Sequence, residues 1–120
     1  MNVVQNAAGG IDELRPRADM TDDELVREIR QGNASCFEPL MRRYNQRLFR
    51  VARAIVRDDA EAEDVIQQAY VNAYLHLDQF AERARFSTWL TRIAIHEALG
   101  RLRKAGRMPR YDEADGEESA

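Results

Sequence analysis

Between Arg83 and Arg110 eight basic residues accompany a single acid, Glu97. Phe80, Phe86 and Trp89 lie at the front of that stretch, with Ser87 and His96 among the arginines. Guanidinium groups hold phosphates, and aromatic rings beside them suit bases that are stacked or pulled out of pairing. The chemistry is therefore binding to a polyanion. Bond-making chemistry has no comparable support. The chain has no Gly-rich phosphate loop and no Cys paired with a His, and His76 and His96 stand too far from other ligands to build a metal site. Neither an enzyme nor a metal or organic cofactor is expected.

A second cluster has the opposite charge. Asp58, Asp59, Glu61, Glu63 and Asp64 are followed by Gln67, Gln68, Val71 and Leu75. On a helix Asp64, Gln68, Val71 and Leu75 share a face, with Gln67 and Tyr74 beside it. A purely solvated face has no use for Val71 or Leu75, so a protein-docking surface is expected there. Just upstream, Arg42, Arg43, Arg47, Arg50, Arg53 and Arg57 form a run with no acid between them, and Asp112, Glu113, Asp115, Glu117 and Glu118 make an acidic tail. The net charge of −3 excludes a basic coat protein, and the segregation implies separate partners for separate surfaces.

The elements that position these residues fit one domain. The chain has 120 residues, and a hydrophobic content of 44% supports a modest core. Cys36 is the single cysteine, which leaves no disulfide framework within the chain and suits a cytoplasmic setting. No apolar run approaches the roughly 18–20 residues needed to span a bilayer, and with no basic region followed by an apolar block at the N-terminus a secretory signal is not expected. Residues 1–20, with Gly9, Gly10 and Pro16, read as a flexible leader.

Helical periodicity appears four times. Thr21 and Glu24 have capping-box spacing ahead of Leu25, Val26 and Ile29, and Gly32 is a stop. A second helix covers about 34–57, with Pro39 implying a late start or a kink. The third follows Asp58 and Asp59 and extends to about Leu77. The fourth is capped by Ser87 or Thr88 and runs to Lys104 or Ala105, ahead of Gly106 and Pro109. No strand alternation is present. An all-α, four-helix compact bundle with disordered termini is expected.

Three segments in this order resemble the region 2 domain of bacterial RNA polymerase sigma factors, in particular the extracytoplasmic-function group. They are Phe37-Glu38-Pro39-Leu40 with Tyr44, Leu48 and Phe49; Asp59 to Tyr70 with Ala73, Tyr74 and Phe80; and Phe86-Ser87-Thr88-Trp89-Leu90-Thr91-Arg92-Ile93-Ala94 ending in Arg101-Leu102-Arg103-Lys104. The resemblance covers roughly residues 22–107. It implies a domain at 21–107 and an acidic linker beginning at 108–120. The helix-turn-helix region 4 of a complete member has no counterpart in the sequence.

The resemblance further implies that the third helix docks on the clamp helices of the polymerase beta-prime subunit, with Glu61, Asp64, Gln67, Gln68 and Val71 in contact. It implies that the 78–86 loop and the fourth helix take the single strand of the promoter −10 element, through Phe80, Arg83, Arg85, Ser87, Arg92, His96, Arg101, Arg103 and Lys104. An anti-sigma protein would be a further partner, and membrane insertion is not expected. Gln68 stands where the family commonly has an acid, His96 where many members have Asn, and Gly100 where a larger residue is frequent. A sigma mimic that binds only an anti-sigma protein is the alternative. An unrelated basic module, preferring duplex, is a third reading.

Overall fold

The computed structural model describes residues 17–107. Helix α1 spans Asp22–Arg30 and opens on the expected capping box. The Glu24 N–H donates to Thr21 Oγ1 at 3.1 Å, and the Thr21 N–H donates to Glu24 Oε1 at 2.8 Å. Its C-terminus is closed by Gly32 at φ 105°, which lets the Gly32 and Asn33 N–H groups donate back to Ile29 and Glu28. Only glycine adopts that backbone without strain.

Helix α2 runs over Phe37–Val56, after a 3-10 turn at Ala34–Cys36. Pro39 explains the late start: within the first turn its missing N–H leaves no bond unmade. Arg57 ends α2 in a left-handed conformation, φ 63°. Asp58 then caps α3, Asp59–Leu75, by accepting from the Glu61 N–H at 2.7 Å. Helix α3 ends before the expected Leu77, which lies instead in a 3-10 turn, Leu77–Gln79.

Helix α4 covers Phe86–Lys104 with Arg85 at the cap position. This corrects the expected cap at Ser87 or Thr88, since both already lie in the first turn. The buried Phe86 ring sets the start, packing 5.5 Å from Phe80 and 6.2 Å from Tyr44. Gly106, at φ 68°, closes α4 as Gly32 closes α1, with Arg107 N–H donating to Leu102 at 2.8 Å.

The core lies among α2, α3 and α4, with Leu40, Leu48, Val65 and Leu90 fully buried. Ala62, Ala69, Ala73, Ala94 and Ala98 are also fully buried, and such small contacts let helix axes approach closely. Helix α1 crosses one end and holds the loop after α3. Arg27 and Arg30 pair with Glu82 at 3.1 and 2.9 Å, and Arg30 Nη2 donates to the Leu77 carbonyl at 2.7 Å. Arg43 pairs with Asp22 at 2.8 Å and donates to the Arg17 and Met20 carbonyls.

The expected leader is therefore too long by its last residues. Residues 17–19 form a 3-10 turn and Met20 is buried. The rest of the leader and the acidic tail lie outside the described residues. Among the described residues no helix is long and apolar enough to cross a membrane.

Candidate nucleic-acid interface and docking face

The loop between α3 and α4 presents its arginines because its neighbouring acid is already occupied. Glu82 is held by Arg27 and Arg30. Among the described residues the side chains of Arg83, Arg85 and Arg92 make no hydrogen bond or ion pair, and all three residues are exposed. Arg83, Arg85 and Ser87 line an open cleft of about 400 Å³ with Asp22, Asp23 and Tyr44. That volume lies within the range of small-molecule sites, so a single base fits it. Tyr44 donates to Asp22, and its pKa is pushed up from 10.0 to about 12, first by burial and then by that hydrogen bond. It remains a neutral donor at physiological pH.

Phe86, which also lines the cleft, belongs to an aromatic cluster. Phe80, Phe86 and Trp89 form a triangle with centroids 5.4 to 5.7 Å apart. Phe80 is only 3% exposed, and the Arg30 guanidinium covers its ring at 5.9 Å. Phe80, expected at the strand, is packed in the core here and supports the loop from beneath. Phe86 is equally buried and Trp89 is partly buried against the same core.

Along α4 the expected contacts divide. Arg92, His96, Arg103 and Lys104 are exposed. His96 lines an open depression of about 460 Å³ with Asn72, His76, Gln79 and Trp89. Arg101 is different. Its Nε donates to Glu97 at 3.0 Å, and its Nη2 reaches the Asp64 carbonyl at 3.4 Å. Its Nη1 also lies 4.0 Å from the Asp64 carboxylate. Arg101 thus ties α4 to α3.

On α3 the docking face is also divided. The Asp64 side chain is 70% exposed, Gln67 is exposed, and Val71 and Leu75 are 49% and 65% exposed. Tyr74 lies beside them, edge-on to Phe37 at 5.1 Å. Gln68 is half-buried and donates to Asn72 at 3.1 Å. Glu61 accepts from Arg107 at 2.6 Å. The pairing of Glu61 and Arg107 escaped sequence reasoning. Its one visible signal was Gly106, whose turn swings Arg107 back toward α3.

A family profile described as Sigma-70 region 2 matches residues 40–108. The chain is 34% identical over 98 residues to the RNA polymerase sigma-H factor of Pseudomonas aeruginosa, covering 82% of this chain and 51% of that protein. It is 33% identical over 100 residues to the ECF RNA polymerase sigma-E factor of Escherichia coli, covering 83% of this chain and 52% of that one. The chain thus spans about half the length of the curated relatives it matches. Among solved structures, it resembles the NMR structure of a complex between an engineered region 2 of sigmaE and GTAAAA, with a TM-score of 0.69 and 35% identity. That match covers 73% of this chain and 92% of the other.

Proposed function

The chain belongs to the Sigma-70 region 2 family, and from that premise we propose that it directs core RNA polymerase to promoters and holds the exposed strand of the −10 element. The observation that carries this reading is the loop itself. The side chains of Arg83 and Arg85 stand without partners among the described residues and line a base-sized cleft together with the rings of Tyr44 and Phe86. Aromatic rings beside exposed cations can take an extruded base and neutralise its flanking phosphates. Arg92, Arg103 and Lys104 extend the phosphate contacts along α4, giving affinity and register rather than sequence choice. Ser87 and His96 are the polar groups of α4 placed to meet a base edge.

Helix α3 supplies the other half of the reading. Asp64 and Gln67, flanked by Val71, Leu75 and Tyr74, make an acidic and apolar face that suits the basic beta-prime clamp helices of polymerase. Glu61 and Gln68 lie at its edge. Phosphodiester chemistry belongs to the polymerase, and this domain recognises and positions. An anti-sigma protein would cover the same two faces. A mimic that bound only such a protein would have no use for a base-sized cleft beside the loop arginines, and that cleft favours the initiation reading.

The test is binding of the chain to core polymerase and, separately, to the single strand GTAAAA across a salt series. Arg83→Ala with Arg85→Ala should weaken strand binding and lower the salt slope by roughly 0.7 per lost phosphate contact. An unaltered slope removes the loop from the interface. Failure to bind core polymerase, with retention by an anti-sigma protein, selects the mimic.

A further inference from the structure

The arginines of α2 are not used by the reading above, and they divide into two groups. Arg42 pairs with Glu38, Arg43 with Asp22, and Arg53 with Asp59 at 2.6 Å. Arg47, Arg50 and Arg57 have no carboxylate partner among the described residues, and all three are exposed. At 3.6 residues per turn, Arg47 and Arg50 lie about 60° apart on one face of α2, and Arg57 stands at the C-cap, two turns beyond Arg50. The unpaired three therefore follow one another along α2 and its cap as a stripe, and the acids that neutralise the remaining arginines of α2 leave them uncovered.

The stripe begins beside the loop cleft. The Arg47 guanidinium lies over the Tyr44 ring, 5.5 Å from its centroid, and Tyr44 lines the cleft with Arg85 and packs against Phe86. From Arg47 to Arg57 the helix rises about 15 Å. That distance matches roughly two to four phosphates of a strand, depending on how far it is stretched. We propose that this α2 stripe is a second phosphate track, which holds the nucleic-acid strand after it leaves the loop cleft. The proposal rests on the strand-binding reading of the loop. Two observations select the ligand: guanidinium groups at intervals along one face suit a phosphodiester backbone, and the face is continuous with a cleft of base size. The contacts carry no sequence information, because a stripe of arginines offers charge and no base-edge pattern.

The experiment compares two probes on the full chain: the hexamer GTAAAA, and the same hexamer extended at either end to fourteen nucleotides. The unmodified chain should bind one of the extended strands about tenfold more tightly at low salt, with a salt slope steeper by about two. The combined variant Arg47→Gln, Arg50→Gln and Arg57→Gln should lose that gain while binding the hexamer within twofold of the parent. Far-UV circular dichroism confirms its fold, and Arg50→Gln alone, in mid-helix, gives a smaller loss of the same kind. No gain on extension, a gain that survives in the variant, or equal loss for both probes would each overturn the proposal. Arg83→Ala with Arg85→Ala is read on the hexamer alone. No effect there defeats the loop reading, whereas the α2 stripe is judged on the extension.

Discussion

The Glu61 carboxylate accepts a hydrogen bond from the Arg107 guanidinium at 2.6 Å, joining the first turn of α3 to the chain just beyond α4. One turn further along α3, Arg101 bridges Asp64 and Glu97. The acidic face and the cationic face thus share charges at one end of the bundle. A cationic partner that captured Glu61 would release Arg107 toward a phosphate, and the reverse holds by linkage. Glu61→Gln should therefore raise single-strand affinity about two- to fivefold at low salt, the scale of one exposed ion pair. Fluorescence anisotropy with a labelled strand measures this, and a fall in affinity would show that Glu61 holds Arg107 in its binding position.

Asp64 is the more exposed counterpart, its carboxylate 4.0 Å from Arg101 Nη1. With its side chain 70% exposed, charge reversal disturbs little of the packing. Asp64→Arg should weaken binding to core polymerase at least tenfold, about 1.4 kcal/mol. Its unfolding midpoint should stay within a few degrees of the parent, as for other surface substitutions of about ±0.5 kcal/mol. Unchanged polymerase affinity in a purified assay would remove α3 from the docking face.

The sequence made much of this legible. Apolar spacing placed four helices, and Thr21, Gly32, Asp58 and Gly106 marked ends that the structure keeps. The start of α4 was misplaced by two or three residues because Ser87 looked like a cap. Tertiary packing decides instead, since the Phe86 ring enters the core and carries the helix start with it. Phe80 is drawn into the core in the same way. An aromatic ring in a loop looks available until α1 brings Arg30 over it. Periodicity describes one element at a time. It could not show that Glu82 would be claimed by α1, leaving Arg83 and Arg85 unpaired, or that Arg101 would turn to Asp64.

Gly100 offers a stability prediction independent of function. It lies inside α4, where glycine is about 0.5–1 kcal/mol less favourable than alanine. A Cβ built there meets only Arg103 Nη2 at 3.8 Å, an ordinary contact with the end of a flexible side chain. Gly100→Ala should raise the urea midpoint by an amount equivalent to about 0.5–1 kcal/mol, with an unchanged denaturant slope. A lower midpoint would mean that α4 needs the backbone freedom of glycine at this position.

Alkaline stability follows from two phenols. Tyr44 is pushed from 10.0 to about 12 by burial and by its hydrogen bond to Asp22, and Tyr70 to about 12 by burial and the nearby Glu63. Both shifts favour the neutral phenol in the folded chain. Their contribution is present in full below the unfolded pKa near 10, and it is lost as pH rises through the folded value near 12. Unfolding free energy should accordingly be level through neutral pH and fall between pH 10 and 12. Urea titrations across that window, with phenolate absorbance followed in parallel, measure the loss. Tyr44→Phe removes one of the two titrations, so its stability should start lower, for want of the Asp22 bond, and decline less steeply above pH 10. An equally steep decline in Tyr44→Phe would exclude Tyr44 as a source of the alkaline transition.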